Sequence, residues 1–391
     1  MKELSRLLAD IPPSATLAVN DKAVALQEAG NDVIALAGGD PDFDTPAHIA
    51  DAAIEAIRAG RTHYPSPTKG IPAVLEAIAG KMARENGVNV DPSTDVVVTP
   101  GSKWALFLAL SAVVNPGDEV VYLEPVWVSY PAMIRIAGGE PVAVTLPAET
   151  NFTITEEQLR EKITPRTKAL MVNSPNNPSG RILTEAEVQA IISVATDADL
   201  YVITDEVYEK LVFDGRTNPA LAAQPGMAER TITTNGLSKG YAMTGWRLGW
   251  VAGPTPIMKL AARMHGQTIT SAATFTMEAA VAALNGPQDV VHAMCHSYQE
   301  RRDFMVKALN EIDGIECPLP EGAFYLIPRF THTDKNSVEL ADALLEEAEI
   351  AATPGVAFGQ STEGHLRFSI ATAMDDLERA VERIARVAPN L

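Results

Sequence analysis

Residues 235–250, NGLSKGYAMTGWRLGW, set two cations, Lys239 and Arg247, into a run that is otherwise mostly small, apolar or aromatic. A lysine with an ordinary pKa of about 10.4 is protonated at neutral pH and is no nucleophile. Desolvation by apolar neighbours, or a second cation nearby, lowers that pKa and frees the lone pair for Schiff-base chemistry with a carbonyl. This stretch offers both influences: Leu237, Met243 and Trp246 as apolar surroundings and Arg247 as the cation. Taken alone, it also fits an ordinary surface lysine in a loop.

Four other places offer complementary chemistry. In TDEVY, Asp205 and Tyr208 end an apolar strand, and a carboxylate at the carboxyl end of a parallel strand lies where α/β proteins bind ligands. An isolated Asp there serves equally as a helix cap. NSPNNPSG brings an amide, Asn177, to the end of another strand, although a plain loop has the same composition. In TPGSK, the backbone N–H groups around Gly101, Ser102 and Lys103 open a helix and suit a phosphate, as ordinary glycine-rich turns also would. EPVWVSY puts Trp127 just past a strand, where a core aromatic is the default. Together these strand ends supply an anion nest, a flat aromatic, an amide, a carboxylate with a phenol, and a lysine with an arginine. One cofactor, pyridoxal phosphate, requires that set.

The elements that must position them are legible as alternation. From about residue 95, short β-branched runs (DVVVTP, EVVYLEP, PVAVTLP, KALMVNSP, LYVITDEVY) alternate with helical patterns such as KWALFLALSAVV and a helix opened by a capping box from Thr184 to Glu187. That order predicts an α/β fold with a mostly parallel sheet. ERTITTNGL and RLGWVAGP follow with no long helix between them, and their continuous hydrophobicity suits strands covered on both faces. After residue 290 a long charged helix, short strands and a terminal helix suggest a smaller α+β domain. The first 45 residues fall outside the alternation and are expected to pack as an arm against that domain or a partner subunit. The expected division is therefore an arm, 1–45, a large domain, 46–290, and a small domain, 291–391.

Composition excludes other classes. Fifty acidic against 31 basic residues give a formal charge of −19, which disfavours nucleic-acid or anionic-membrane partners. Two cysteines without CxxC spacing, Cys295 and Cys317, support neither a disulfide framework nor a metal site. No GxGxxG follows a strand, which argues against a nicotinamide-dependent dehydrogenase. The N-terminus lacks the apolar core of a secretory signal, and no stretch approaches a membrane span, so a cytoplasmic, soluble chain is expected.

The stretches GGDPDFDTP, YPSPTKGIPAVLEAI, NSPNNPSG, DEVY, NGLSKGYAMTGWRLGW, EGAFY, PGVAFG and HLRFSIA, in this order over nearly the whole chain, resemble class I aminotransferases of the pyridoxal-phosphate fold type I group. The resemblance is greatest to the bacterial aspartate and aspartate/prephenate branch. It implies a three-layer, mixed but mostly parallel seven-stranded large domain and a homodimer with shared sites. It further implies ping-pong amino transfer between an amino acid and a 2-oxo acid, with aspartate and 2-oxoglutarate favoured. Prephenate, aromatic or small neutral substrates, and β-lyase or racemase chemistry, are the alternatives.

Roles follow from the same resemblance. Lys239 would hold the cofactor aldehyde and shuttle the substrate proton. Asp205 would keep the pyridine nitrogen protonated, while Asn177 and Tyr208 would bind the ring oxygen and Trp127 would stack on the ring. Arg247 with Gly101, Ser102 and Lys103 would take the phosphate, and Tyr64 would reach the phosphate of the partner's cofactor. Arg367 would clamp the substrate α-carboxylate, with the Gly39 N–H in support. Gly236 departs from the pattern, since many members carry a hydroxyl three positions before the lysine; whether Ser238 compensates stays open. In the same branch a lysine at the place of Lys103, with a stretch like PSATLAVN, goes with the distal carboxylate of acidic substrates; a phosphate neighbour or a solvated side chain are the other readings of Lys103.

Overall fold

The computed structural model describes residues 4–391. Its strands, in chain order, are β1 (Ile34–Ala35), β2 (Val96–Thr99), β3 (Glu119–Glu124), β4 (Glu140–Thr145), β5 (Thr167–Asn173), β6 (Tyr201–Asp205), β7 (Thr231–Gly236), β8 (Gly249–Ala252), β9 (Ile315–Glu316), β10 (Tyr325–Leu326), β11 (Arg329–Phe330), β12 (Ile350–Ala351), β13 (Thr353–Pro354) and β14 (Leu366–Ser369). Seven of them form one mixed sheet in the order β2-β8-β7-β6-β5-β3-β4. Only β8 runs against its neighbours β2 and β7; the other pairs are parallel. The reason is local. Parallel pairing needs a crossover element, and the 237–248 connection contains only the three-residue turn Thr244–Trp246, so the chain returns beside β7 in the opposite sense.

Every residue of β2, β7 and β8 is buried; β2 and β8 are largely apolar, whereas β7 buries Thr231, Thr233, Thr234 and Asn235 beside Ile232. Alternation along β2 sends Val97 to one layer, with Leu106, Ala109 and Met258, and Val96 and Val98 to the other, with Ile78 and Met277. The helix Glu185–Asp197 covers β5 and β6 through Val188, Ile191 and Val194, and begins at the capping box of Thr184 and Glu187 anticipated from sequence.

Beyond residue 288 the helices Asp289–Asn310, Ser337–Ala348 and Met374–Val387 pack with the antiparallel sheet β10-β14-β13. Leu377, Ala380, Ile384 and Val387 form the buried stripe of the last helix, as its periodicity requires. Ile34 and Leu36 join this core, and β1 pairs in parallel with β12. The N-terminal segment is thus stitched into the C-terminal layer of its own chain. Among the described residues, no helix is long and apolar enough to cross a membrane.

Candidate active site

The carboxyl ends of β2, β3, β5, β6 and β7 converge on one edge of the sheet, and a cavity of about 440 Å³ opens there. Asp205 ends β6, buried, and accepts hydrogen bonds from Tyr130 Oη at 2.7 Å and Val207 N at 3.3 Å. Burial nevertheless pushes its pKa up to about 6, partly offset by the Tyr130 bond and by Lys239. Lys239 follows β7, and its Nζ donates to the Gly39 carbonyl. Burial lowers its pKa to about 8, opposed by the Asp40 carboxylate and reinforced by Arg367 and Arg247. The amine is therefore poised near neutrality, as the apolar setting in the sequence suggested.

The Ser102–Val113 helix starts where β2 ends, and its first amides have no partner within the helix. Gly101, at φ 91°, allows the chain to turn there, and a Cβ on it would fall 2.5 Å from Arg247 Nη2. Arg247 sits in the left-handed region at φ 53° and donates from Nη1 to Thr244 O at 2.8 Å, which holds the guanidinium beside the helix start. Gly249 closes this cradle, because a Cβ there would lie 2.6 Å from Ser102 N. Gly236 is packed against Leu248 O and Gly249 Cα, and Ser238 is buried and lines the cavity.

Opposite, Arg367 on β14 is buried and donates to Ala37 O at 2.7 Å and Asn177 Oδ1 at 3.1 Å. Its Nε is buried without a hydrogen-bond partner, a donor held in reserve. The guanidinium carbon stands 4.3 Å from the Tyr325 ring and 4.9 Å from the Phe358 ring. Asn177 Nδ2 donates to Tyr208 Oη at 3.4 Å, and Tyr208 and Tyr325 share a 3.1 Å hydrogen bond. Burial raises the pKa of Tyr130, Tyr208 and Tyr325, so all three remain O–H donors at neutral pH.

At the mouth, Lys103 Nζ lies 4.8 Å from the Trp127 ring, and partial burial beside Arg247 lowers its pKa. Ser14, Thr16 and Leu17, at the start of the helix Ala15–Glu28, line the same cavity. Lys103, Lys239, Arg247 and Arg367 face it against Asp40 and Asp205, four cations to two carboxylates in a chain of net charge −19. Such a reversal of sign selects small anions.

Of the residues given a cofactor or substrate role from sequence, all but Gly101 and Tyr64 line this cavity; Gly101 shapes its wall, and Tyr64 is 81% exposed on the surface. At Gly39 it is the carbonyl that is engaged, accepting from Lys239 Nζ. Sequence reasoning missed Tyr130, although a phenol three residues after Trp127 at the start of a helix was a usable signal. It also missed Asn173, which donates to Asp205 O at 2.9 Å and accepts from Asn177 N at 2.8 Å. Tyr325 stood in the quoted EGAFY without a role, and Asp40, which accepts from Thr244 Oγ1, was not considered.

Comparison with known proteins places these features in a wider set. Residues 31–384 match the family described as aminotransferase class I and II. An aspartate/prephenate aminotransferase of Cereibacter sphaeroides is 44% identical over 100% of both chains. An aspartate aminotransferase of Geobacillus stearothermophilus is 41% identical over 98% of each. The structure of Thermus thermophilus aspartate aminotransferase with maleate superimposes with a TM-score of 0.94 at 42% identity, covering 99% of this chain and 100% of that one.

Proposed function

Because the chain belongs to the class I and II aminotransferases, we propose that it uses pyridoxal phosphate in the cavity at the sheet edge to move an amino group between dicarboxylic partners, aspartate and 2-oxoglutarate. The donor set fits the cofactor: a glycine-walled helix start beside Arg247 for the phosphate, and a buried carboxylate, Asp205, that lacks a cation at contact distance. When bound, pyridoxal phosphate supplies an aldehyde that captures the amino group and a ring that accepts the electron pair released at the α-carbon.

The protein's part is to bind, orient and move protons. Asp205, kept in place by Tyr130 and Val207 N, holds a proton on the ring nitrogen. Asn177 and Tyr208 would donate to the ring oxygen, and Trp127 would cover the ring face. The backbone N–H groups at Gly101, Ser102 and Lys103, with Ser238 and Arg247, would take the phosphate, and Tyr64 would be contributed to the partner's site. Arg367, which lines the cavity, would take the substrate α-carboxylate with Gly39 in support. Lys239 Nζ, with its pKa brought down to about 8, takes the proton from the substrate α-carbon and returns it.

The dicarboxylate preference rests on one observation: Lys103, Ser14 and Thr16 line the cavity together, a cation and two hydroxyls available to a second carboxylate. A homodimer in the cytoplasm, and the division into 1–45, 46–290 and 291–391, belong to the same reading. Exposed Tyr64, Leu4, Leu8 and Leu17 support the dimer, since a partner would cover them. The deciding assay is a panel of amino donors against several 2-oxo acids. Aspartate with 2-oxoglutarate should give the highest kcat/KM, and a tenfold preference for neutral or aromatic donors would reject the substrate assignment.

A further inference from the structure

The Phe358 ring, on one side of Arg367, belongs to the short turn Gly355–Phe358 of the C-terminal region. This turn is fastened to the large sheet at two points. Val126 N, one residue before Trp127, donates to Phe358 O at 2.9 Å. Gln360 N donates to Glu124 Oε1 at 2.5 Å, and Thr145 Oγ1 donates to Glu124 Oε2 at 2.9 Å. Glu124 is the last residue of β3 and only 7% exposed.

A buried carboxylate loses its hydration and is kept only where donors replace it. Here both oxygens are engaged, one by the backbone of a distant segment and one by the neighbouring strand β4. Gly359 fits this contact from the other side: at φ 131° a Cβ on it would fall within the Glu124 carboxylate. Glu124 does not line the active-site cavity, so it touches neither cofactor nor substrate. It acts on what does, because the segment bonded to it carries the Phe358 ring beside Arg367.

We infer that Glu124 is a positioning residue, which clasps the Gly355–Gln360 segment to the end of β3 and so holds the Phe358 ring against Arg367, in place for the substrate carboxylate. The inference rests on the assignment of Arg367 as the carboxylate clamp. A displacement of about 1 Å at such a clamp is enough to weaken productive binding by a factor of ten or more.

Three measurements test it. In the unaltered protein, hydrogen–deuterium exchange should find the Gln360 amide protected; exchange at the rate of unstructured chain would overturn the clasp without any variant. In the cofactor-loaded enzyme, E124A should raise KM for both the amino acid and the 2-oxo acid about tenfold while kcat changes less than about twofold. The affinity of the cofactor-free protein for pyridoxal phosphate, followed by absorbance, should stay the same. E124Q should restore KM, since an amide oxygen still accepts from Gln360 N. Unchanged KM in E124A, or a joint fall in kcat and cofactor affinity, would overturn the inference. R367A separates the two levels: normal KM in R367A rejects the clamp assignment, whereas impaired R367A with silent E124A rejects the clasp alone.

Discussion

Asp205 is expensive to the cofactor-free protein, and Asp205→Asn measures by how much. Its pKa rises from an ordinary 3.8 to about 6 on burial, a shift of about two units, or about 3 kcal/mol at 1.36 kcal/mol per unit. The sign follows from proton uptake. Below pH 3.8 both folded and unfolded chains carry the proton and nothing is lost. Between 3.8 and about 6 the unfolded carboxyl ionises while the folded one keeps its proton, so stability falls as pH rises. Above about 6 the full cost persists. Asparagine has nearly the same shape, can accept from Val207 N as the carboxylate does, and does not titrate. Cofactor-free D205N should therefore match the parent near pH 4 and exceed it by about 3 kcal/mol at pH 8 in denaturant titrations. Saturating pyridoxal phosphate should reverse the order, because only the carboxylate pairs with a protonated ring nitrogen. Stability curves that run parallel from pH 4 to 8 would refute the reasoning, since they would mean that Asp205 is solvated or fully compensated within the protein.

Competitive labelling of the cofactor-free protein with an amine reagent should place the Lys239 midpoint near pH 8; a midpoint close to 10.5 would show that burial does not activate the amine. R367A should raise KM for donor and acceptor alike by roughly two orders of magnitude, the scale of a charge-assisted pair lost from a buried site, and steady-state kinetics would reveal a smaller effect as misassignment. K103A should weaken dicarboxylic substrates by about tenfold relative to neutral ones, within the range of a partly exposed ionic hydrogen bond. Equal losses on both classes would assign Lys103 to the cofactor or the fold.

The residues proposed to hold the cofactor were legible because they stand at or just past the ends of recognisable β-branched strands. Asp205 ends YVITD, Lys239 follows TITTNG, and Ser102 opens a helix after VVVT. What periodicity hid was contact between segments far apart in the chain. Tyr130 reads as one more residue of a helix, and only the fold brings its hydroxyl to a carboxylate 75 positions away. Glu124 looks like the charged end of a strand, yet its partner amide is 236 positions off. The N-terminal segment lies outside the strand–helix alternation of the sequence, and its pairing of β1 with β12 depends on a register that no local pattern encodes. The antiparallel return of β8 was foreshadowed only by the missing helix before RLGWVAGP.

The glycine-walled cradle divides the cavity into a part that resists change and a part that accepts it. At Gly101 and Gly249 any side chain meets Arg247 or the Ser102 backbone, so mutational drift at the anion end is blocked by geometry rather than by chemistry. Ser14, Thr16, Leu17 and Lys103 are half-buried or exposed, and their replacement disturbs no core packing. Single substitutions can therefore reshape one end of this pocket while the glycine-walled end keeps its shape.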